Sequence, residues 1–249
     1  MARLSVVVIC YNEEEIIEKC LNSVKWADEI IVVDSYSTDQ TMKIAKGYTD
    51  RIYQHEWQGY GRQKNLALSY ASHPWVLSLD ADEVLSAELI EEIRTLLIKD
   101  GKCKGYRLPR MTYYLGRLLR YCWYPDYKLR LFQKDCARWS EQEVHEEIIL
   151  NGSAAKLKNP LFHYSFPTIA DHIQTIQRYT ALGSEMLVRT ERPFPWHRLL
   201  GSPVVMFVKL YIIKRGFLDG FPGLIACALS AVHEFVKYAK MYELQKKNR

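Results

Sequence analysis

Two aspartates, Asp80 and Asp82, stand one residue apart directly after the apolar run Trp75 to Leu79. In extended chain, residues two apart point to the same side, so both carboxylates can face one point at a strand end. Like charges so close are unfavourable unless a cation neutralises them. Hard divalent ions such as Mg²⁺ or Mn²⁺ take oxygen ligands and bridge readily to phosphates. The plainer alternative is a solvated acidic loop, Glu83 included, capping a helix from Ala87. Two more polar clusters follow apolar runs: Tyr11-Asn12-Glu13 after Leu4 to Ile9, and Asp34 after Glu29 to Val33. A carboxylate at a strand end can accept a hydrogen bond from a nucleobase N–H, and an Asn–Glu pair can hold a ribose or base edge. Each cluster alone is more often a helix cap than a ligand contact; three on one edge, with a metal-type pair among them, make that plain reading hard to sustain.

The elements that must position these groups are legible as strand–helix units. Leu4 to Ile9 is a near-continuous valine-rich run, as expected of a strand buried on both faces. Ile16, Ile17, Cys20, Leu21 and Val24 recur at helical spacing, and Ser37-Thr38-Asp39 offers a cap for a helix around Met42 to Lys46. Arg51 to Gln54 reads as a strand, Leu66 to Tyr70 as a helix, Trp75 to Leu79 as a strand and Ala87 to Leu97 as a helix. Such alternation builds a parallel sheet with helices on both faces, which takes its ligands at the carboxyl ends of the strands. Hairpin-like segments follow at Gly105 to Arg110 and Tyr127 to Phe132, and from Thr168 onward the pattern is helical: Ile169 to Thr190, Trp196 to Lys214 and Phe221 to about Gln245.

The chain has 249 residues, 48% of them hydrophobic and 25% charged, enough for a full core and unlike a disordered or disulfide-stapled chain. Its 34 basic and 29 acidic residues give a net charge of +5. That charge is concentrated: Lys102 to Arg138 holds ten Lys/Arg against two Asp, a local +8. Arg107, Arg110, Arg117, Arg120, Lys128 and Arg130 alternate there with Tyr113, Tyr114, Tyr121, Trp123 and Tyr124. Arginine forks match phosphate and carboxylate while aromatics stack on sugar faces, although single-stranded nucleic acid or plain solvation would suit the same composition. Six cysteines without a CxxC pair read as free thiols, and an N-terminus that runs quickly into acid is unlike a secretory signal, so a cytoplasmic location is expected.

The segments VVVICYNEEE, IIVVDSYSTDQT, GYGRQKNLAL and VLSLDADE together resemble a family 2 glycosyltransferase of the GT-A fold. More narrowly, the chain resembles the bacterial lipopolysaccharide inner-core, heptose-directed beta-1,4-glucosyltransferases. The resemblance implies an α/β, Rossmann-like catalytic domain over 1–166 and a C-terminal amphipathic helical extension over 167–249. It implies that Tyr11, Asn12, Glu13 and Asp34 cradle the uridine of a UDP-sugar, that Arg62 or Lys64 approaches the diphosphate, and that Asp80 and Ala81 lie near the ribose or donor sugar. Asp82 would be the main ligand of a Mg or Mn ion, with Asp80 beside it and His163 as a third protein ligand. Within Glu143-Val144-His145-Glu146-Glu147, the resemblance places the base, Glu146 in this reading with Glu143 the alternative, and makes His145 its orienter or an acceptor contact; a charged surface turn before a strand at Ile148 is the plainer reading. An anionic lipopolysaccharide-core acceptor would meet Arg107, Arg110, Lys128 and Arg130, with no nucleic-acid partner. The loop Asp34-Ser35-Tyr36-Ser37-Thr38-Asp39 departs from the family's glycine-containing DDGSxD.

Other enzyme classes fit poorly. The first strand runs into Cys10-Tyr11-Asn12-Glu13 rather than a GxGxxG turn, which argues against a nicotinamide-dependent oxidoreductase. A glycosidase would flank its sugar with two carboxylates and need no metal. In the tail, Leu199 to Ile213 contains Lys209 and ends at Lys214-Arg215, while Asp219, Gly220 and Pro222 interrupt Phe217 to Val232. Neither run supplies the roughly 18–20 uninterrupted apolar residues of a spanning helix. Greasy faces with cationic edges, followed by Lys246-Lys247-Asn248-Arg249, suit an anionic membrane interface at the inner face of a bacterial inner membrane; core or dimer helices are the alternative.

Overall fold

The computed structural model describes residues 2–98, 103–141, 147–189 and 194–247. They form two compact units, one of residues 1–111 and 126–164, the other of residues 112–125 and 165–249.

The first unit opens with strand–helix alternation: β1 (Leu4–Cys10), α1 (Ile17–Val24), β2 (Glu29–Asp34), α2 (Thr41–Ala45), β3 (Ile52–Gln54), α3 (Tyr60–Tyr70) and β4 (Trp75–Asp80). A short β5 (Glu83–Leu85) and α4 (Ala87–Ile98) follow, then β6 (Gly105–Tyr114), β7 (Arg117–Leu118), β8 (Asp126–Gln133), β9 (Ala137–Trp139), β10 (Ile148–Leu150), β11 (Ala154–Lys156) and β12 (Leu161–Phe166). The main sheet runs β3-β2-β1-β4-β8-β6-β12-β5. Its first four strands are parallel, and β8 then pairs antiparallel with both β4 and β6. The sequence reading's parallel sheet is thus half of a mixed one.

Period-two alternation explains the burial of β1 on both faces. Leu4, Val6, Val8 and Cys10 enter one core with Ile17, Leu21 and Val24 of α1 and Leu89, Ile93 and Leu97 of α4. Val7 and Ile9 enter the opposite core with Ile31, Val33, Val76 and the Ala67 and Leu68 face of α3. Each buried Val, Leu or Ile among them stabilises the fold by about 1.5–3 kcal/mol, so strand order and register are strongly specified.

Two local expectations need correction. Helix α3 begins at Tyr60, six residues before the expected Leu66, after a Gly59 at φ +94°. Ser37 and Thr38 do not cap α2; Asp39 Oδ1 accepts the Thr41 N–H at 3.0 Å instead, while Ser37 and Thr38 bond to the loop after β1.

The second unit contains α5 (Ile169–Val188), α6 (Trp196–Phe207) and α7 (Gly220–Lys247), with a π-helical stretch at Val208–Ile213 and a 3₁₀ turn at Gly216–Asp219. Thr168 and Asp171 form a reciprocal capping box at the start of α5. Tyr114, Leu119 and Cys122 are buried with Leu210, Ala226 and Cys227. Asp219 binds the segment 112–125 to this unit: its carboxylate accepts the N–H groups of Arg120 at 2.8 Å and of Tyr121 and Cys122 at 3.0 Å. By length and composition, the helical stretch Gly216–Lys247 is apolar enough to cross a membrane, contrary to the reading of the sequence, because mean hydropathy tolerates the isolated polar residues.

Candidate active site

The register of the parallel strands brings the candidate residues to one edge. Cys10 pairs with Asp34 and Ile9 with Asp80, so β1, β2 and β4 end level with one another. The loops beyond β1 and β2 are laced together. Asn12 N–H donates to Ser37 Oγ at 2.8 Å, Thr38 N–H donates to Asn12 Oδ1 at 2.8 Å, and Glu13 N–H donates to Thr41 Oγ1 at 2.7 Å. Asn12 holds φ +53° and Tyr36 φ +61°, left-handed values that Asn tolerates better than Tyr. Asp34 is fully buried and accepts from Ser37 N–H at 3.0 Å and Gln54 Nε2 at 3.1 Å, while Tyr11 stays exposed.

Asp80 is neutralised from within the chain. Lys64 Nζ lies 2.8 Å from its Oδ1 and Arg130 Nη2 donates to its Oδ2. Arg130 also reaches Glu83 Oε1 at 2.7 Å, and Glu83 Oε2 accepts the Asp80 N–H at 3.1 Å. Burial pushes the Asp80 carboxyl upward, but Arg130 and Lys64 outweigh it and hold the group well below the usual carboxylate range. Trp139 backs both cations, with Lys64 Nζ 4.5 Å and the Arg130 guanidinium 5.7 Å from its ring centre. Glu83, read from sequence as part of an acidic cap, is instead a buried anchor on β5. Its spacing from Asp80 was visible; the Arg130 that would make it internal came from β8, far along the chain.

Asp82 takes a different partner. Strand β12 pairs antiparallel with β5 and sets His163 opposite Glu83, which brings His163 Nε2 to 3.1 Å from Asp82 Oδ2. Burial opposes ionisation of Asp82, and the adjacent imidazole more than compensates, so its carboxyl lies below its ordinary value. His163 Nδ1 is buried with no hydrogen-bond partner among the described residues. The Asp82 carboxylate suits Mg²⁺ or Mn²⁺ when phosphate oxygens complete the shell, and the His163 imidazole, a softer donor, fits Mn²⁺ better than Mg²⁺. Among the described residues no cluster of three metal-capable side chains exists, so among them this pair is the candidate donor set. Glu13 faces the same acidic corner: burial first, then the charges of Asp82, Asp39 and Asp80, push its carboxyl up to about 7.

The expected acceptor-binding quartet lies on the paired strands β6 and β8, and three of its members share the carboxylates of Glu83 and Asp126 rather than standing free. Arg130 is 4% exposed and engaged with Asp80 and Glu83, so its charge is internal to the site. Arg110 pairs with Asp126 at 2.7 Å and approaches Glu83 at 3.5 Å. Lys128 lies 3.3 Å from Asp126, and Arg107 is exposed. Of the interleaved aromatics, Tyr114 is buried, with its Oη 2.9 Å from His172 Nδ1, and Trp123 packs edge-on against it. Arg62 is exposed and paired with Glu141 at 3.3 Å; Ala81 is buried in the turn between the two aspartates.

Glu146 and His145, the expected base and its partner, lie outside the described residues. The chain on either side of them is held. Asn65 on α3 clamps Trp139 through both its carbonyl and its N–H, at 3.0 and 2.8 Å. Ser140 N–H donates to the Glu147 carbonyl at 2.8 Å and its Oγ accepts the Glu147 N–H at 2.9 Å. Close approach of α3 makes this possible: a Cβ on Gly61 would sit 2.0 Å from the Ser140 carbonyl oxygen.

A mixed sheet that gathers a nucleotide-type edge around an Asp-x-Asp turn is the architecture of the GT-A glycosyltransferases. Residues 5–148 match Glycosyl transferase family 2, and the chain belongs to that family. It is 31% identical to the lipopolysaccharide core biosynthesis glycosyltransferase LpsC of Rhizobium meliloti, across 96% of this chain and 92% of that one. It is 32% identical to an uncharacterized glycosyltransferase of Rickettsia typhi, across 100% of this chain and 90% of that one. Among solved structures it is similar in fold to the mannosyltransferase PcManGT from Pyrobaculum calidifontis, in complex with GDP-Man and Mn²⁺: TM-score 0.58, 14% identity, 97% of this chain and 87% of that one.

Proposed function

We propose that this family 2 enzyme transfers a sugar, glucose in our reading, from a UDP-sugar to a lipopolysaccharide inner-core heptose, with inversion and with Mg²⁺ or Mn²⁺. The observation that carries this reading is the Asp82–His163 pair beside a cation-clamped Asp80, on the same edge as Asn12, Glu13 and Asp34. The name of the Rhizobium meliloti relative supports the acceptor class. Such an acceptor would place the enzyme at the cytoplasmic face of the inner membrane.

In this mechanism the acceptor hydroxyl attacks the anomeric carbon while the bond to the UDP oxygen breaks. The hydroxyl proton passes to a base, and the bonding pair leaves with the diphosphate. Asp82 and His163 would hold the divalent cation, which supplies charge relief at the departing diphosphate. Asp80, fixed by Lys64 and Arg130, would orient the ribose or donor sugar; Tyr11, Asn12, Glu13 and Asp34 would hold the uridine. Glu146 is the proposed base, with His145 orienting it. The Ser140–Glu147 bridge would hold the ends of the segment that carries both. Arg107 and Lys128 are the remaining candidates for acceptor anions, since Arg110 and Arg130 are engaged internally.

A donor screen against a deacylated lipopolysaccharide-core acceptor, read by mass and linkage analysis, tests this directly. We expect transfer from a UDP-sugar that EDTA abolishes, a loss of about 10²–10³-fold in Asp82→Ala, and about 10²–10⁴-fold in Glu146→Gln. Transfer that survives both EDTA and Asp82→Ala overturns the metal reading. Transfer only to some other glycolipid overturns the acceptor assignment and leaves the family intact.

A further inference from the structure

The second unit has an inverted helix face. Of the twenty-three large hydrophobic residues exposed among the described residues, ten fall between Trp196 and Phe221. On α6 the exposed positions Leu200, Val204 and Val205, continued by Val208 at the start of the π-helical stretch, spread over about 140° of arc at 100° per residue, while Leu210 on the opposite side is buried. A water-facing helix would carry its polar residues on that arc. Apolar exposure continues through the π-helical stretch to Ile213 and on to Phe221 at the start of α7, each 72% exposed. A contiguous apolar surface of this kind marks a binding face.

Charge decides what covers it. From Phe194 to Leu218 the chain carries no Asp or Glu. It does carry Arg198, Lys209, Lys214 and Arg215, and none of these forms an ion pair among the described residues. At 100° per residue, Arg198 and Lys209 fall at the margin of the apolar arc, about 20–40° beyond Val205. The carboxylate that follows this segment, Asp219, is buried and occupied by three backbone N–H groups. Apolar side chains bordered by unpaired cations complement a lipid interface, where hydrocarbon lies just beneath anionic headgroups. A self-associating face would have to bury these like charges against their own copies.

We propose that the surface formed by α6, the π-helical stretch Val208–Ile213 and the 3₁₀ turn Gly216–Asp219 lies in the interface of an anionic phospholipid bilayer. The proposal specifies the membrane-facing surface of the enzyme described under Proposed function and stands on separate residues. Helix α7 does not cross the bilayer in this arrangement. It holds Trp123 Nε1 through Ser230 at 3.2 Å and, with the adjoining Asp219, secures the segment 119–123, contacts that a spanning helix would give up.

Vesicle co-sedimentation of the full chain tests the assignment, with phosphatidylcholine alone and with added phosphatidylglycerol. The wild type should sediment with the anionic vesicles, release in high salt, and be extracted from membranes by alkaline carbonate. Each cation near the surface contributes about fivefold in affinity. Arg198→Glu with Lys209→Glu should therefore lower binding at least tenfold, and Val204→Asp with Ile213→Asp should do the same while both variants keep the wild-type Tm. Equal sedimentation of the variants, failure of the wild type to bind anionic vesicles, or resistance to carbonate would overturn the proposal. So would loss of a dimer in the Asp variants by analytical ultracentrifugation, which would make the face a self-association surface. Stabilisation by UDP with Mn²⁺, measured on the same preparations, reports the nucleotide reading separately.

Discussion

Glu13 is the residue at which the cost of gathering acids is most visible. Its carboxyl lies near 7 in the fold because of burial and then Asp82, Asp39 and Asp80, against about 4.3 in an unfolded chain. The folded state therefore binds this proton more tightly, so the contribution is favourable at low pH and is lost as pH rises from about 4.3 to about 7. Glu13→Gln should raise Tm at pH 8 by roughly 2–4 °C, about 1 kcal/mol after solvent screening, and by much less at pH 5. Equal shifts at both pH values in thermal melts would show that Glu13 does not carry this penalty. Asp80 shows the opposite solution: two buried cations, Arg130 and Lys64, hold its carboxyl well below the usual carboxylate range. Asp80 finds its counter-charges on α3 and β8, at a chain distance no local pattern reveals.

Among the elements, the contact of α3 with β9 is the most exacting. Gly61 lets the helix approach the Ser140 carbonyl, and Asn65 then clamps Trp139, the wall behind Lys64 and Arg130. Gly61→Ala would force these elements apart and cost about 1–3 kcal/mol. Because Ser140 also bridges to Glu147, we expect that variant to lose kcat more than nucleotide affinity, as steady-state kinetics with UDP competition can show. The Asp219 carboxylate plays an equivalent part in the second unit. Asp219→Ala leaves three backbone N–H groups without their acceptor, at a cost of about 3 kcal/mol or more, and urea melts should register it. The parallel strands and the helices are legible in the sequence, since β1, β2, β4, α1 and α4 each carry a clear apolar period, whereas the short strands β5, β7 and β9 to β12 carry no such signal. The first turns of α3 are not legible either, because Tyr60 to Asn65 is polar and its buried Gln63 and Lys64 serve the site rather than a core.

For the protein as a unit, ligand linkage is the broadest check. A nucleotide that binds only the folded state stabilises it by about 2.7 kcal/mol at a hundred times its dissociation constant. UDP should raise Tm with Mn²⁺ or Mg²⁺ present and lose most of that effect in EDTA; an identical rise in both would place the diphosphate on Lys and Arg alone. The family, the parallel half of the sheet and the edge at which chemistry gathers were all readable in linear order. They rest on short-range signals: apolar period, residues two apart on a strand, and motif spacing. The partners of the charges were decided in three dimensions. Strand β8 returns antiparallel beside β4 and delivers Arg130 to Asp80 and Glu83 rather than to an acceptor, and β12 pairs with β5 and delivers His163 to Asp82. Composition counts a charge wherever it stands in the chain, but only strand pairing sets whether it meets solvent or a buried counter-ion.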